Sequence, residues 1–349
     1  MNENYYLQSD IKEIFNNLKH LKKNLSGKKF LISGANGFLG KYFIRSLIEI
    51  NKTLSKKIKI LAIDIKFDQC EIYNDKNVKK LKQDINSIKN ITFKSNYVLH
   101  AAGIPSPKHY YNKPIEAIFT SITGTKKLLE YSKKNNSKFI FFSSSEIYGN
   151  PDSKNIPTSE TYNGNVSCIE DRSCYDEGKR VGETLCYFYK IKQKVNVAIF
   201  RPFNVFGPGM QETDYRVLPN FTSRIKGNIP LQIYGTGNQT RTFCYITDAM
   251  EGFIRVILNG VPGESYNIGN PNPEISVISL IKKIESILGK KVMYDIVDYP
   301  DSYPADEPSR RCPDILKAKL QIKYEPRVDI DEGLKRFINW SDKVYKGKQ

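Results

Sequence analysis

The sequence predicts an α/β protein: a doubly wound parallel sheet followed by a smaller C-terminal lobe. Three observations carry that prediction. Residues 28–50 read as a short apolar strand, a turn with a glycine at every third position, and an amphipathic helix. Three more apolar runs, 57–64, 96–103 and 138–149, alternate with helical stretches such as 115–134, the pattern of a parallel sheet covered by helices. Beyond Pro202 the chain turns proline- and glycine-rich without an internal repeat or low-complexity linker, which places a second lobe there. A chain of 349 residues is long enough for both.

Taken in order, the stretch SDIKEIFNNLKHLKKNL puts Ile11, Ile14, Phe15 and Leu18 on one helical face, and this extension is expected to pack on the sheet domain or on a neighbouring subunit. The run KKFLIS then feeds GANGFLG, after which Phe43, Ile44, Leu47 and Ile48 follow at helical spacing. Gly34, Gly37 and Gly40 permit a tight turn, close approach of backbone to a pyrophosphate, and close helix-to-strand packing. Asn36, Phe38 and Leu39 lie between them at a helix N-terminus that favours phosphate.

The second strand ends in Asp64, 24 residues after Gly40. A carboxylate there accepts hydrogen bonds from a ribose 2′-OH and repels a 2′-phosphate, so NAD is favoured over NADP, with Lys66 nearby as an opposing charge. Asp84 and Ile85 are adenine-side candidates. Ala101, Ala102 and Gly103 end the run NYVLHAAG, and Ser144, Ser145 and Glu146 end the strand of KFIFFSSSEIYG. Ligands of such sheets bind outside these carboxyl ends.

The stretch SCYDEGKRVGETL reads as helix and sets Tyr175 four residues ahead of Lys179, one turn apart on a shared face. A fixed ammonium beside a phenol favours the phenolate and turns tyrosine into a usable base. Alone, such a pair is more often a solvated helix face; its meaning comes from the glycine turn and serine-rich strand end that accompany it.

Composition excludes several classes. Hydrophobic residues at 40% and charged residues at 26% exclude disordered or collagenous material, and no apolar run approaches the ~18 residues of a membrane span. The N-terminus lacks a basic region followed by an apolar core, so a cytoplasmic protein is expected. Six cysteines form no C-x-x-C pair and no cluster with the three histidines, so free thiols and no metal are expected. The net charge of +17 is spread along the chain, without a basic tail or nucleic-acid motif. No nucleic-acid or membrane partner is expected, while an anionic small substrate gains from the field.

With the glycine turn, SSSEIYG and Tyr175/Lys179 in this order, the chain resembles the extended short-chain dehydrogenase/reductase family, the NAD-dependent nucleotide-sugar epimerases, dehydratases and decarboxylases, from about Lys28 to Arg336. The stretches HAAGIPSPKHYYNKPIEA, NGNVSCIEDRSCYDEGKRVGET, RPFNVFGPGM with DYRVLPNF, YGTGNQTRTFCYITD and DEPSRRCPDILKAK are most similar to its UDP-glucuronate decarboxylase branch. The resemblance implies a Rossmann-type fold, NAD as cofactor, and transient C4 oxidation of a UDP-sugar, UDP-glucuronate above all. Another 4-epimerase, a 4,6-dehydratase or a 4-keto-forming decarboxylase are the alternatives, and a non-catalytic NAD-binding regulator is a remote one.

Carried over by resemblance, Tyr175 is the base at the C4 hydroxyl, Lys179 lowers its pKa and holds the nicotinamide ribose, and Ser144, in the family's threonine position, hydrogen-bonds the C4 oxygen, with Ser145 beside it. Glu146 is the candidate acid at C5 and Arg241 the candidate cation for the sugar carboxylate; Glu146 as a strand-end anchor and Arg241 as a diphosphate ligand stay open. Pro105, Tyr111, Asn204, Arg216, Tyr234 and Arg310 complete the expected substrate contacts, Arg216 and Arg310 towards the nucleotide or diphosphate. Three departures stand out: Ser121 replaces a frequent asparagine, Gly209 stands where decarboxylases usually carry arginine, and Ser145-Glu146 replaces the aspartate-glutamate pair of dehydratases, which favours decarboxylation.

The expected boundaries are a helical extension at 1–26, an NAD-binding domain at 27–203 to which 244–270 returns, and a nucleotide-sugar lobe at 204–243 and 271–349. The site then lies in the cleft between lobes. A homodimer through helices around the tyrosine helix is expected from the resemblance.

Overall fold

The computed structural model describes residues 5–299 and 307–348. Helices α1 (Gln8–Leu18) and α2 (Lys22–Leu25) precede β1 (Lys29–Ser33), α3 (Phe38–Asn51), β2 (Lys59–Asp64) and β3 (Val78–Lys82). Next come β4 (Tyr97–His100), α4 (Pro107–Asn112), α5 (Pro114–Phe119), α6 (Thr125–Asn135), β5 (Lys138–Phe142), α7 (Ser173–Gln193) and β6 (Val197–Pro202). The remainder holds β7 (Val205–Phe206), α8 (Val217–Lys226), β8 (Leu231–Tyr234), β9 (Thr240–Arg241), β10 (Cys244–Tyr245), α9 (Ile246–Asn259) and β11 (Ser265–Ile268). It closes with β12 (Ile275–Ser276), α10 (Val277–Leu288), β13 (Tyr294–Val297), β14 (Arg310–Arg311), α11 (Leu316–Ile322) and α12 (Ile330–Val344).

Strands that are apolar on both faces need cover on both, and the chain meets that need with a seven-stranded parallel sheet in the order β11-β6-β5-β4-β1-β2-β3. This is the Rossmann-type winding expected from the sequence. Strand order reverses between β1 and β4, so the carboxyl ends at Ser33, Asp64, His100 and Phe142 converge beside that switch point. On one face, Phe253 of α9 stacks on Phe200 at 4.6 Å and on Phe43 at 6.0 Å, and Phe142 packs edgewise on both Phe200 and Phe43. On the other, α7 lies directly on β5: a Cβ at Gly182 would come within 2.3 Å of the Phe141 ring, so only glycine allows this approach. Three short sheets, β10-β7, β12-β9-β14 and β13-β8, belong to the later part of the chain, whereas β11 returns to the main sheet beside β6.

The helix expected across 115–134 is interrupted by a π turn at Thr120–Gly124. The cause is the buried imidazole of His100. Its Nε2 donates to the Thr120 carbonyl at 3.2 Å, which leaves Nδ1 to accept from the Ser33 hydroxyl at 2.8 Å, and a Cβ at Gly124 would lie 3.2 Å from the ring. Burial, reinforced by the Lys179 charge, lowers the imidazole pKa to about 3, so it stays neutral and keeps this tautomer. A widened turn beside a ligand site is a common use of π geometry.

Helix α1 docks on α3 and α9, with Ile11, Ile14 and Leu18 sealed and Phe15 at the margin. Asp10 is sealed with them. It accepts hydrogen bonds from Tyr245 at 2.8 Å and Arg336 at 3.3 Å, yet burial outweighs both and pushes its carboxyl up to about 6. Asp248 is also pushed up to about 6 by burial, against the N–H groups of Val328 and Arg327. A carboxyl that titrates above its unfolded value loses stability as pH rises through the window between the two, here from about 4 to about 6. Asp10→Asn, which keeps an acceptor for Tyr245, is therefore expected to raise Tm relative to the wild type progressively, by about 3–5 °C between pH 4 and pH 7. Thermal unfolding of both proteins across that range checks it; a constant difference would show that Asp10 does not titrate there.

Candidate active site

One cavity of about 720 Å³ runs along the carboxyl ends of the sheet and is closed over by residues of the 202–243 and 275–311 stretches. Its first end is built by the glycine turn. A Cβ on Gly40 would sit 2.2 Å from the Gly34 carbonyl oxygen and one on Gly34 would sit 2.5 Å from the Ala101 backbone, so the turn closes on itself without side chains. Gly37 caps α3 with no side-chain hydrogen bond, leaving the first-turn amides beside Phe38 and Leu39 at the wall. Asp64 accepts from the Asn36 amide at 2.9 Å through one oxygen and faces the cavity with Lys66. Asp84, Ile85, Ala101, Ala102 and Gly103 line the same end. An unoccluded helix N-terminus, a side-chain-free cradle and an anchored carboxylate fit a dinucleotide with a free ribose 2′-OH.

Tyr175 and Lys179 project from the first turns of α7 into the middle of the cavity, both buried. The lysine does not bond the phenol. Its ammonium donates to the Phe142 carbonyl at 2.7 Å and stands 5.7 Å from the Tyr175 ring centre, and burial lowers its pKa to about 8, with Glu183 acting the other way. The expected depression of the Tyr175 pKa by Lys179 is therefore corrected. Burial dominates and pushes the phenol up, and the groups that pull it back are the Ser144 hydroxyl and the Arg216 guanidinium. The lysine is turned towards the Phe142 carbonyl rather than the phenol oxygen, so it is not among the main groups that act on the phenol.

Glu146, in the 3₁₀ turn after β5, is the centre of a charge cluster. Arg172, at the head of α7, pairs with one carboxylate oxygen, and Arg311, on β14, pairs with the other at 2.7 Å. Arg311 also donates to Ser145 at 3.1 Å and to the Gly149 carbonyl at 3.3 Å. Burial works to raise the Glu146 pKa, but Arg311, Arg172 and Arg241 together hold it below the usual carboxylate value. These guanidiniums favour its ionised form, which suits the strand-end anchor left open above. Arg241 reaches the same wall and pairs with Glu307 at 3.0 Å.

Pro105, Asn204, Arg216 and Tyr234 also line the cavity; Asn204 donates to the Thr242 carbonyl at 2.8 Å and Arg216 pairs with Asp214. Two expected substrate contacts do not. Tyr111 is exposed while its neighbour Tyr110 lines the wall, stacked 5.7 Å from Tyr175. Arg310 turns away to Glu274 at 2.6 Å, and Arg311 takes the inward position because adjacent strand residues face opposite ways. Arg172 and Arg311 are the residues the sequence reading passed over. Arg172 lies three residues before Tyr175, a spacing that puts both on one helical face, and this was the signal available.

A family model described as "NAD dependent epimerase/dehydratase family" matches residues 30–269. The chain belongs to that family. Its curated relatives include UDP-glucuronic acid decarboxylase 1 of Arabidopsis thaliana, 33% identical over 316 residues and covering 89% of this chain and 69% of the relative. UDP-glucuronic acid decarboxylase 1 of Xenopus tropicalis is 33% identical over 320 residues, 90% of this chain and 72% of the relative. Among solved structures, UDP-glucuronic acid 4-epimerase of Bacillus cereus, in complex with UDP-glucuronic acid and NAD, is 25% identical with a TM-score of 0.77, covering 91% of this chain and all of that one. UDP-glucose 4-epimerase of Thermotoga maritima shares the fold at a TM-score of 0.79 and 24% identity, over 90% of this chain and 99% of that one. Family membership fixes NAD as the cofactor class, in agreement with the cradle and Asp64.

Removing one partner from a buried ion cluster leaves the other charge uncompensated. Glu146→Gln, which strands both Arg172 and Arg311, is expected to cost about 3–5 kcal/mol, and Arg311→Leu in the same chain to recover part of that by removing one of the two stranded charges. Urea unfolding of the two single variants and the double variant checks the coupling; additive losses would show that the pair is not a unit.

Proposed function

We propose that this protein is an NAD-dependent UDP-glucuronate decarboxylase that converts UDP-glucuronate to UDP-xylose. The observation that carries it is the meeting, in one cavity, of Tyr175 and Ser144 with the arginines around Glu146, beside a dinucleotide cradle. Relatives that bear the decarboxylase name along most of their length support the choice among sugar chemistries.

NAD, held by the glycine turn and Asp64, would supply the hydride acceptor for oxidation at C4 and the donor for the later reduction. Tyr175 takes the proton of the C4 hydroxyl and later gives it back, with Ser144 holding the oxygen between them. The phenol, raised by burial, needs added positive charge nearby to work as a base, and Arg216 is placed to contribute it. Once C4 is a ketone, the sugar is a β-keto acid: the C5–C6 bond breaks, carbon dioxide leaves, and the bonding electrons pass into the ketone as an enolate. Protonation at C5 and hydride return at C4 complete a redox-neutral cycle. Arg241 is the candidate to orient the departing carboxylate, exchanging its Glu307 contact for the sugar's own. A UDP-pentose is an activated glycosyl donor, so this reading places the protein in polysaccharide biosynthesis, in the cytoplasm where NAD and nucleotide sugars are held.

Incubation with NAD and UDP-glucuronate, followed by mass spectrometry, tests the reading. Loss of 44 mass units supports it, a further loss of 2 indicates release of the ketone, and no mass change in a protein that binds UDP-glucuronate assigns it to the epimerases. Tyr175→Phe is expected to lower kcat by about 10²–10⁴ while leaving UDP-sugar binding intact. Unchanged turnover would remove Tyr175 as the base.

The homodimer belongs to the same proposal. Between α5 and α7 a shallow groove is lined by Ile118, Ile122, Ile169 and Val181, and Ile115 and Phe119 stand exposed beside it, an apolar face that a second copy of the same helices would cover. Phe119→Glu with Val181→Glu is expected to give a monomer by light scattering, and a dimer that survives both changes would place the interface elsewhere.

A further inference from the structure

We propose that residues 5–18 form a brace that ties the cofactor half of the cleft to the sugar lobe and thereby holds NAD(H) in place through turnover. The segment precedes the region matched by the family model, and the contacts of Tyr5 and Tyr6 fall on α3, the loop after β2 and Gly209, all of which adjoin or wall the cavity.

On the cofactor side, the Tyr5 ring lies 3.9 Å from the ammonium of Lys41, in the first turns of α3. Lys41 pairs in turn with Asp68 at 2.6 Å, and the Asp68 amide donates to Asn36 of the glycine turn at 3.3 Å. Tyr6 donates to the Glu71 carboxylate in the loop after β2, the loop whose first residues, Ile65 and Lys66, line the cavity. Arg45 of α3 covers the Tyr6 ring at 5.3 Å and donates to Gln8 at 3.2 Å. One short stretch therefore grips α3 and the adenosine-side loop together.

On the other side, the Tyr5 carbonyl oxygen fills the space where a Cβ on Gly209 would lie, at 2.3 Å, and Gly209 has φ +95°. Phe38, on the cavity wall, is 3.5 Å from that same point, and Met210 and Gln211, which follow Gly209, line the cavity. The glycine that stands in place of the arginine expected by resemblance thus leaves room for the extension. Farther along, Glu13 and Asp10 accept from Arg336 of α12 at 2.7 and 3.3 Å, and from Thr247 and Tyr245, in the stretch that returns to the main sheet, at 2.7 and 2.8 Å, so each joins the two parts. Ile11, Ile14 and Leu18 anchor this end in the core. Moving Gly209 and Arg336 away from α3 requires the contacts of Tyr5, Asp10 and Glu13 to them to break.

Retention has a chemical purpose in a reaction that takes a hydride and must return it: reduced cofactor that leaves early strands the sugar as the ketone. This last point rests on the C4 chemistry proposed above, whereas cofactor retention does not, so the test reads retention directly. Full-length enzyme loaded with NADH is chased with excess NAD and the loss of NADH fluorescence is timed. In Tyr5→Ala/Tyr6→Ala, dissociation is expected to be about tenfold faster, the equivalent of one or two lost hydrogen-bond-sized contacts. Tyr6→Phe removes only the Glu71 hydrogen bond and is expected to accelerate release about threefold; it decides the matter if the double variant fails to fold. A lowered Tm with unchanged NADH release in either folded variant would make the segment a stabiliser of the fold alone and overturn the proposal.

Discussion

A carboxylate taken out of water at the end of a parallel strand must be paired, and the way Glu146 is paired organises this molecule. Its two oxygens are held by arginines from places far apart in the chain, Arg172 at the head of α7 and Arg311 on β14. One residue thus fastens the strand end that carries Ser144, the helix that carries Tyr175, and the second lobe. The arrangement is specific because a buried charge tolerates no missing partner. It also favours the ionised form of Glu146, because guanidiniums on both oxygens stabilise the carboxylate.

The same dryness acts on the other titratable groups of the site. Tyr175 is pushed up, Lys179 and His100 are pushed down, each towards its neutral form, because burial penalises the charged one. His100 turns this to structural use. Kept neutral, it spans Ser33 below the glycine turn and Thr120 in the π turn, and so couples the cofactor cradle to the helical layer beside α7. Backbone approach supplies the rest of the rigidity, through Gly34 and Gly40 in the cradle and Gly182 under the tyrosine helix.

The contacts of the extension fit this picture. The sheet and the later part of the chain meet around an open cleft, and among the groups that join them are Arg311 and Ser309 near the reacting centre and the 5–18 segment at the cofactor end. Asp10 is buried at a cost that rises with pH, which sets the acid-side behaviour of this junction apart from that of the Glu146 cluster, where the folded carboxyl is held low.

Local signals determined much of this protein. Strand, glycine spacing and helix follow one another within residues 28–50, so the cradle and the carboxylate at Asp64 were legible; so was the Tyr175–Lys179 pair, because helical periodicity alone puts positions four apart on one face. Alternating strands and helices were enough for the parallel sheet. Only the tertiary structure decided which of two adjacent residues turns inward, as with Arg311 over Arg310 and Tyr110 over Tyr111, since the phase of a two-residue strand or a single-turn helix is set by what it packs against. It alone decided the charge state of Glu146 and the raised pKa of Tyr175, because both depend on desolvation and on partners more than twenty residues away. Sequence spacing fixes neighbours along the chain; burial and long-range electrostatics arise only when distant segments close over the same site.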